Sequence, residues 1–296
     1  IYIESFMVYE KIKNIKYKKL LIFAMILVLI FIVIQVMNAI IEPQGYFNPD
    51  YDKINILPIL NKKNFSENDY KELLYQTGLG ETAIDEIMKE QDGIDKILEF
   101  QEDFFRNNNT LCKSIGIITS QESIVNSNGK AMYGFKLAPY ENGYVLITKA
   151  THSIGWRHGH AAIITDAEKE ETLEAILLGS NSQLQNINKW RVYPSFIMLK
   201  LKDTSQDTLD AVAAFAKNNL ADIPYGLTVG LTSKKNPKPE NISSTQCSHL
   251  VWYPFMQYGY DVDSDGSWLV TPKDIANSDL FEVVQIHGVN PKEIWP

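Results

Sequence analysis

The sequence predicts an α+β protein. Six short runs rich in β-branched and aromatic residues follow one another beyond Asn109, and helical spacing is confined to the segment before them and to two later stretches. The runs are 114–119, 132–137, 143–148, 159–165, 172–178 and 196–201. Strands in such close succession imply an antiparallel sheet or barrel. With 296 residues, 45% of them hydrophobic, the chain can bury a large core, which sets aside the disordered and fibrous classes. No solenoid-type repeat is visible.

The elements follow in order. Lysines at 11, 13, 16, 18 and 19 precede an uncharged apolar run, Leu20 to Met37, and acids at 42, 50 and 52 follow it. A run of this length can span a bilayer, and positive charge stays cytoplasmic. Residues 1–19 are therefore expected as a cytoplasmic basic segment and 20–41 as a transmembrane signal anchor, with the rest of the chain outside the membrane. A long cleavable secretory signal is the competing reading, but Met37-Asn38-Ala39 is a poor cleavage site. Residues 42–65 mix Pro43, Gly45, Pro58, asparagines and tyrosines without a period and read as a linker.

Ser66-x-x-Asp69 is an acidic variant of the capping box and starts a helix that Gly78 and Gly80 interrupt. Further helical spacing at 82–88 and 94–105 makes 66–108 a small helical prelude that lacks clustered catalytic residue types. Residues 109–296 form the main domain. Its two helices are expected at 208–220, with Leu209, Val212, Ala213 and Ala216 on one face, and near Cys247.

From residue 42 onward the chain carries 23 basic and 34 acidic side chains, a formal balance of −11. Nucleic acid and anionic lipid surfaces are poor partners for such a domain. Asp261-x-Asp263-x-Asp265-Gly266 begins like a calcium loop, but position twelve is Pro272 where a bidentate Glu is needed, so it reads as a polar turn. No Cys/His spacing suits zinc, and neither a metal nor a cofactor is expected.

The chemistry concentrates on one cysteine. Only Cys112 and Cys247 exist, and they are expected to remain unpaired. Ser243, Ser244 and Thr245 precede Cys247 as capping types, and Leu250, Val251 and Phe255 supply an apolar helical face, so Cys247 opens a helix. A helix start favours thiolate, and the free amides of Cys247 and Ser248 can hold an oxyanion. Pro254 is expected to kink or end that helix after about two turns.

A base is available on the strand at 159–165, where His158 and His160 share a face and spacing does not choose between them. Glu174 lies on the returning strand. Across an odd-length hairpin loop it has the same parity as residue 160, so its carboxylate can orient the His160 ring. His152, His249 and His287 read as surface or structural residues.

The Gly-His-Ala-Ala-Ile-Ile strand at 159–164, Leu173-Glu174-Ala175, Ile223-Pro224-Tyr225-Gly226, Cys247-Ser248-x-Leu250-Val251-Trp252 and Val270-Thr271-Pro272-x-Asp274-Ile275 together resemble the circularly permuted, YiiX/YebB-like branch of the NlpC-type papain-fold cysteine hydrolases. The resemblance covers about residues 140–285. It implies a papain-like antiparallel sheet packed against a nucleophile helix and a Cys247, His160, Glu174 triad. It favours His160 over His158 as the base, leaving His158, with Tyr225, beside the substrate. The chain departs from the pattern at His249, where the family usually has an acid, and at Pro254. The activity implied is amide hydrolysis through a thioacyl-enzyme, with peptidoglycan stem peptides as the expected substrate. Lipid acyl chemistry and a catalytically idle surface-binding domain are the alternatives.

Overall fold

The computed structural model describes residues 16–33, 46–116, 119–153 and 156–296. Residues 16–33 form helix α1, exposed along its length, with lysines at 16, 18 and 19 in its first turn. Among the described residues no helix is long and apolar enough to cross a membrane. The described apolar part of α1, 20–33, rises about 21 Å against a hydrocarbon core of about 30 Å. Residues 34–41 of the expected anchor, and the basic residues before 16, lie outside the described residues.

The stretch expected as a linker is docked from Tyr46 onward. Short helix α2 (Leu57–Leu60) buries Leu60, and Ile56 beside it is also fully buried. The amide of Ile54 donates to Gln76 Oε1 at 3.0 Å, and its carbonyl accepts from Gln101 Nε2 at 2.9 Å.

Helix α3 (Glu67–Thr77) starts at the Ser66/Asp69 capping box, with both reciprocal hydrogen bonds formed. Helices α4 (Glu81–Ile87) and α5 (Gly93–Phe104) complete the prelude. Gly78 and Gly80 do more than end a helix. They let residues 78–80 run beside strand β9 (Phe281–His287), with Ile286 N donating to Gly78 O at 2.7 Å and Gly80 N to Val284 O at 2.9 Å. A Cβ on Gly80 would sit 1.7 Å from Val283 O, so only glycine admits this approach.

Two antiparallel sheets follow. The smaller joins β1 (Thr110–Ser114), β2 (Thr119–Ile124) and β4 (Thr151–Ser153) in the order β1-β2-β4. The larger has six strands in the order β7-β6-β5-β3-β8-β9, adding β3 (Val145–Thr148), β5 (His160–Asp166), β6 (Glu171–Glu174), β7 (Gln183–Asn186) and β8 (Phe196–Leu201). Helix α6 (Gln206–Leu220) and helix α7 (Cys247–Gln257) pack together and on β5. Helix α8 (Pro272–Ala276) is capped by Thr271 and Asp274.

The strand expected at 132–137 does not form. Its amides find separate partners instead of a ladder: Met132 N donates to Ile124 O, Gly134 N to Arg191 O and Lys136 N to Asp103 Oδ2. Pro254 neither ends nor shortens α7, which runs eleven residues to Gln257. Cys247 to Phe255 are all buried in it, and packing of that order outweighs the one backbone bond that a proline forfeits.

Candidate active site

The β5–β6 hairpin sets the first half of the site. Its loop, 167–170, has four residues, and an even loop in a regular ladder would put residues 160 and 174 on opposite faces. A bulge between Ile164 and Asp166 absorbs one residue, so that Ile163 pairs with Leu173 and the parity of His160 and Glu174 is restored. Their side chains meet on one face, with His160 Nε2 2.8 Å from Glu174 Oε2.

Gly159 fixes where β5 begins. It holds φ at +75°, and a Cβ there would lie 2.6 Å from Thr148 O and 2.4 Å from the Trp295 ring. The turn removes His158 from the face that His160 occupies: His158 Nε2 lies 2.8 Å from Ser153 Oγ on β4. Spacing alone leaves the two histidines equivalent because it assumes an unbroken strand.

Helix α7 supplies the second half. Gln246 is its N-cap residue and makes no side-chain cap bond, its amide donating instead to Val270 O at 3.1 Å. Cys247 therefore sits at the bare positive end of the helix. Alanines at 161 and 162, both fully buried, leave room for this helix end to approach β5. The thiol hydrogen-bonds the His160 ring, and the amides of Ala161 and Ser248 point at the sulfur. Since Nε2 faces Glu174, Nδ1 is the nitrogen left for sulfur.

Glu174 is fully buried and each oxygen has two partners. Oε1 accepts from Trp190 Nε1 at 3.0 Å and Thr172 Oγ1 at 2.9 Å. Oε2 faces His160 and the Lys189 ammonium, the latter at 2.7 Å. Trp190 also stacks on the imidazole, with ring centres 5.4 Å apart and planes within 10°. Lys189 and Trp190 sit on a 3-10 turn, Ile187–Val192, which follows β7.

Burial opposes charge on all three groups and is the largest single influence on each. For His160 it pushes the pKa down, yet the hydrogen bonds and charges of Cys247 and Glu174 outweigh it and raise the value to about 9. For Glu174 burial pushes up, and His160 and Lys189 bring the carboxyl down to about 2. For Cys247 burial pushes up, and the His160 hydrogen bond and charge, with the two amides, hold the thiol below its ordinary range. Each partner thus favours the charged form of the other, thiolate on Cys247 and imidazolium on His160.

Tyr225 is near enough to feel the sulfur: burial first, then the Cys247 charge, raises its phenol pKa. Its amide donates to Ser180 O at 3.0 Å, and it bridges Thr245 just ahead of the nucleophile. Tyr193, buried against Trp190, is raised by burial and then by the charges of Glu174 and Cys247.

The remaining histidines lie elsewhere. His249 is buried in the first turn of α7, with Nδ1 2.9 Å from Thr245 Oγ1 and Nε2 2.8 Å from Lys235 O, and burial lowers its pKa to about 4. His287 stacks on Phe135 at 4.5 Å, and His152 faces Glu122. Cys112 and Cys247 are both free.

In the calcium-like loop, carboxylate oxygens of Asp263, Asp265 and Asp274 come within 4.8 Å of one another. The Lys235 ammonium already binds Asp263, donates to Ser267 O at 2.7 Å and lies over the Trp252 ring at 4.7 Å. Asp274 is engaged in capping α8. The loop is a turn clamped by a lysine.

Thr172, Lys189, Trp190 and the Ala161 amide join the site without being among the residues expected from sequence. Lys189 and Trp190 carried no signal of their own, because a turn far along the chain delivers them to Glu174. Thr172 was legible: it lies two residues before Glu174 on one strand, and so on the same face.

No protein-family description matches the chain, and no curated protein matches it. Among solved structures it has a weak likeness to the crystal structure of metalloprotein yiiX from Escherichia coli O157:H7. The TM-score is 0.38 at 12% identity, over 49% of this chain and 96% of that one.

Proposed function

We propose that this chain is a cysteine hydrolase, with Cys247 as nucleophile, His160 as proton shuttle and Glu174 as the group that orients the imidazole. The observation that carries the reading is the convergence of a thiol at a bare helix start, a histidine and a fully buried carboxylate in one hydrogen-bonded line. The thiolate attacks an amide carbonyl, His160 gives its proton to the departing amine, and a thioester forms. Water, deprotonated by His160, then cleaves the thioester and returns the thiolate. Amides of Cys247 and Ser248 at the helix start hold the oxyanion.

The substrate we propose is a peptide bond in peptidoglycan stem peptides, with Tyr225 against the bound substrate. The N-terminal apolar run holds the domain at the outer side of a membrane; the lysines before it and the acids after it support that orientation. A lipid acyl substrate is the second reading, favoured by exposed Leu227 and Leu231 on the turn that follows Tyr225. The test is incubation of the full chain and its Cys247→Ser variant with peptidoglycan fragments and with phospholipid vesicles, followed by mass spectrometry. Cysteine-dependent loss of a stem-peptide bond supports the first reading and release of fatty acid the second. Products independent of Cys247, or none, would refute the enzyme.

A further inference from the structure

Glu174 is an unusual orienting group because a second cation shares the oxygen that faces the histidine. Lys189 Nζ lies 2.7 Å from Oε2, and His160 Nε2 lies 2.8 Å from the same atom. The lysine side chain is 28% exposed, so it enters from the surface to reach a carboxylate with no exposure at all. A lysine free to extend into water gains rotamer entropy and hydration there, so its inward course is one the surrounding fold imposes.

That fold is well specified. Asn186 caps the turn by accepting from Asn188 N at 2.9 Å, Asn188 Nδ2 donates to Glu170 Oε2 at 2.8 Å, and Ile187 N donates to Glu170 O at 2.8 Å. On the far side Trp190 is fully buried and Arg191 Nε donates to Phe135 O at 2.9 Å. Lys189 is thus fixed between two anchored segments, one of them the turn of the hairpin that carries His160 and Glu174.

Charge counting says what the lysine does. With thiolate, imidazolium and carboxylate present, the buried site carries one net negative charge, and Lys189 neutralises it. When His160 passes its proton to the leaving group, Glu174 loses one of the two cations on Oε2 and Lys189 is left to compensate the carboxylate. We propose that Lys189 is a positioning residue that acts on His160 and Cys247 through charge, keeping Glu174 ionised through the cycle and setting the pH interval in which thiolate and imidazolium coexist. The inference rests on the cysteine-hydrolase reading and names a fourth member of its machinery.

The direction follows from Coulomb's law. A cation beside His160 disfavours imidazolium, and a cation near Cys247 favours thiolate, so removing Lys189 raises both pKa values. Both limbs of a rate profile that needs thiolate and imidazolium together then move to higher pH. The other titratable groups that act on His160 are Glu174 on β6, Cys247 on α7 and His158 before β5, while Tyr193 after the turn feels Glu174 and Cys247, and Tyr225 before α7 feels Cys247. The tyrosines are neutral across this interval because burial raises them, and His158, lowered to about 4 chiefly by burial, is neutral above it.

The test is the pH dependence of Cys247 alkylation by iodoacetate in the full chain, since an anionic reagent is favoured by the imidazolium as well as requiring the thiolate. Lys189→Gln keeps a hydrogen-bond donor for Glu174 and removes the charge. Its bell is expected to shift by about one pH unit to the alkaline side on both limbs. Lys189→Arg keeps the charge, and its profile is expected to stay in place. An unshifted Lys189→Gln bell, or a Lys189→Arg bell displaced like that of a neutral variant, would overturn the role of Lys189 while leaving the nucleophile intact. Absence of any bell in the unmodified protein would instead remove the hydrolase reading on which it stands.

Discussion

The two cysteines of this chain are held in opposite ways. Cys112 lies exposed on β1, where partial burial and the nearby charge of Glu122 push its thiol up, with Arg157 pulling weakly the other way. Cys247 is buried at the start of α7, and its thiol is pulled down by His160 and two backbone amides against the full opposition of burial. On the proposed reading accessibility and reactivity are separated: the thiol that solvent reaches more easily is expected to be the poorer nucleophile.

The largest effect that would break this contrast is deletion of its reactive side. Cys247→Ala is expected to abolish turnover, and His160→Ala to slow both turnover and Cys247 alkylation about 1,000-fold, with kcat and labelling rates as readouts. Either variant retaining full rates would mean that the convergence at α7 has no chemical role.

Glu174→Gln sharpens the contrast by making Cys247 more like Cys112. His160 is raised to about 9 partly by Glu174, so loss of that charge moves the alkaline limit of the ion pair down toward the free imidazole value near 6.5. The rate at pH 8 is expected to fall about 10- to 100-fold while the rate near pH 6 changes far less. A uniform loss at every pH would contradict an electrostatic role.

His160 on β5 and His249 on α7 are both buried, and the chemistry of their partners rather than burial separates their charge. His160 faces a carboxylate and a thiol, whereas His249 faces a carbonyl and a hydroxyl and is lowered to about 4. The unfolded chain takes up the His249 proton below about 6.5 and the folded protein does so only below about 4, so acidification across that interval favours unfolding. The loss is on the order of 3 kcal/mol by urea denaturation, and a His249→Gln variant should show less of it between those two pH values. The smallest expected effect lies at the other cysteine: Glu122→Gln removes a charge that opposes the Cys112 thiolate and should speed its labelling by only about twofold, since solvent screens that site.

Much of this was legible in residue order. The capping box at Ser66, the helix opening at Cys247 and the pairing of residues 160 and 174 follow from local rules that the fold obeys. The hairpin parity came out as expected for a different reason, because an even loop is compensated by the bulge near Thr165, and a bulge leaves no mark in the alternation of side chains. The helix through Pro254 and the missing strand at 132–137 show the limit of propensity, since burial of α7 from Cys247 to Phe255 and scattered acceptors decided those segments. Lys189 and Trp190 were illegible because their partner is brought to them by strand order alone. Strand β9, which forms the sheet edge against residues 78–80, shows an apolar Val283-Val284-x-Ile286 pattern that fits a strand.

Competitive alkylation of the native full chain at pH 7 with a limiting amount of iodoacetate, read by peptide mass spectrometry, tests the central claim directly. The account predicts that Cys247 is modified at least tenfold faster than Cys112 and that His160→Ala erases the preference. Equal labelling, or faster modification of exposed Cys112 with Cys247 untouched, would contradict it.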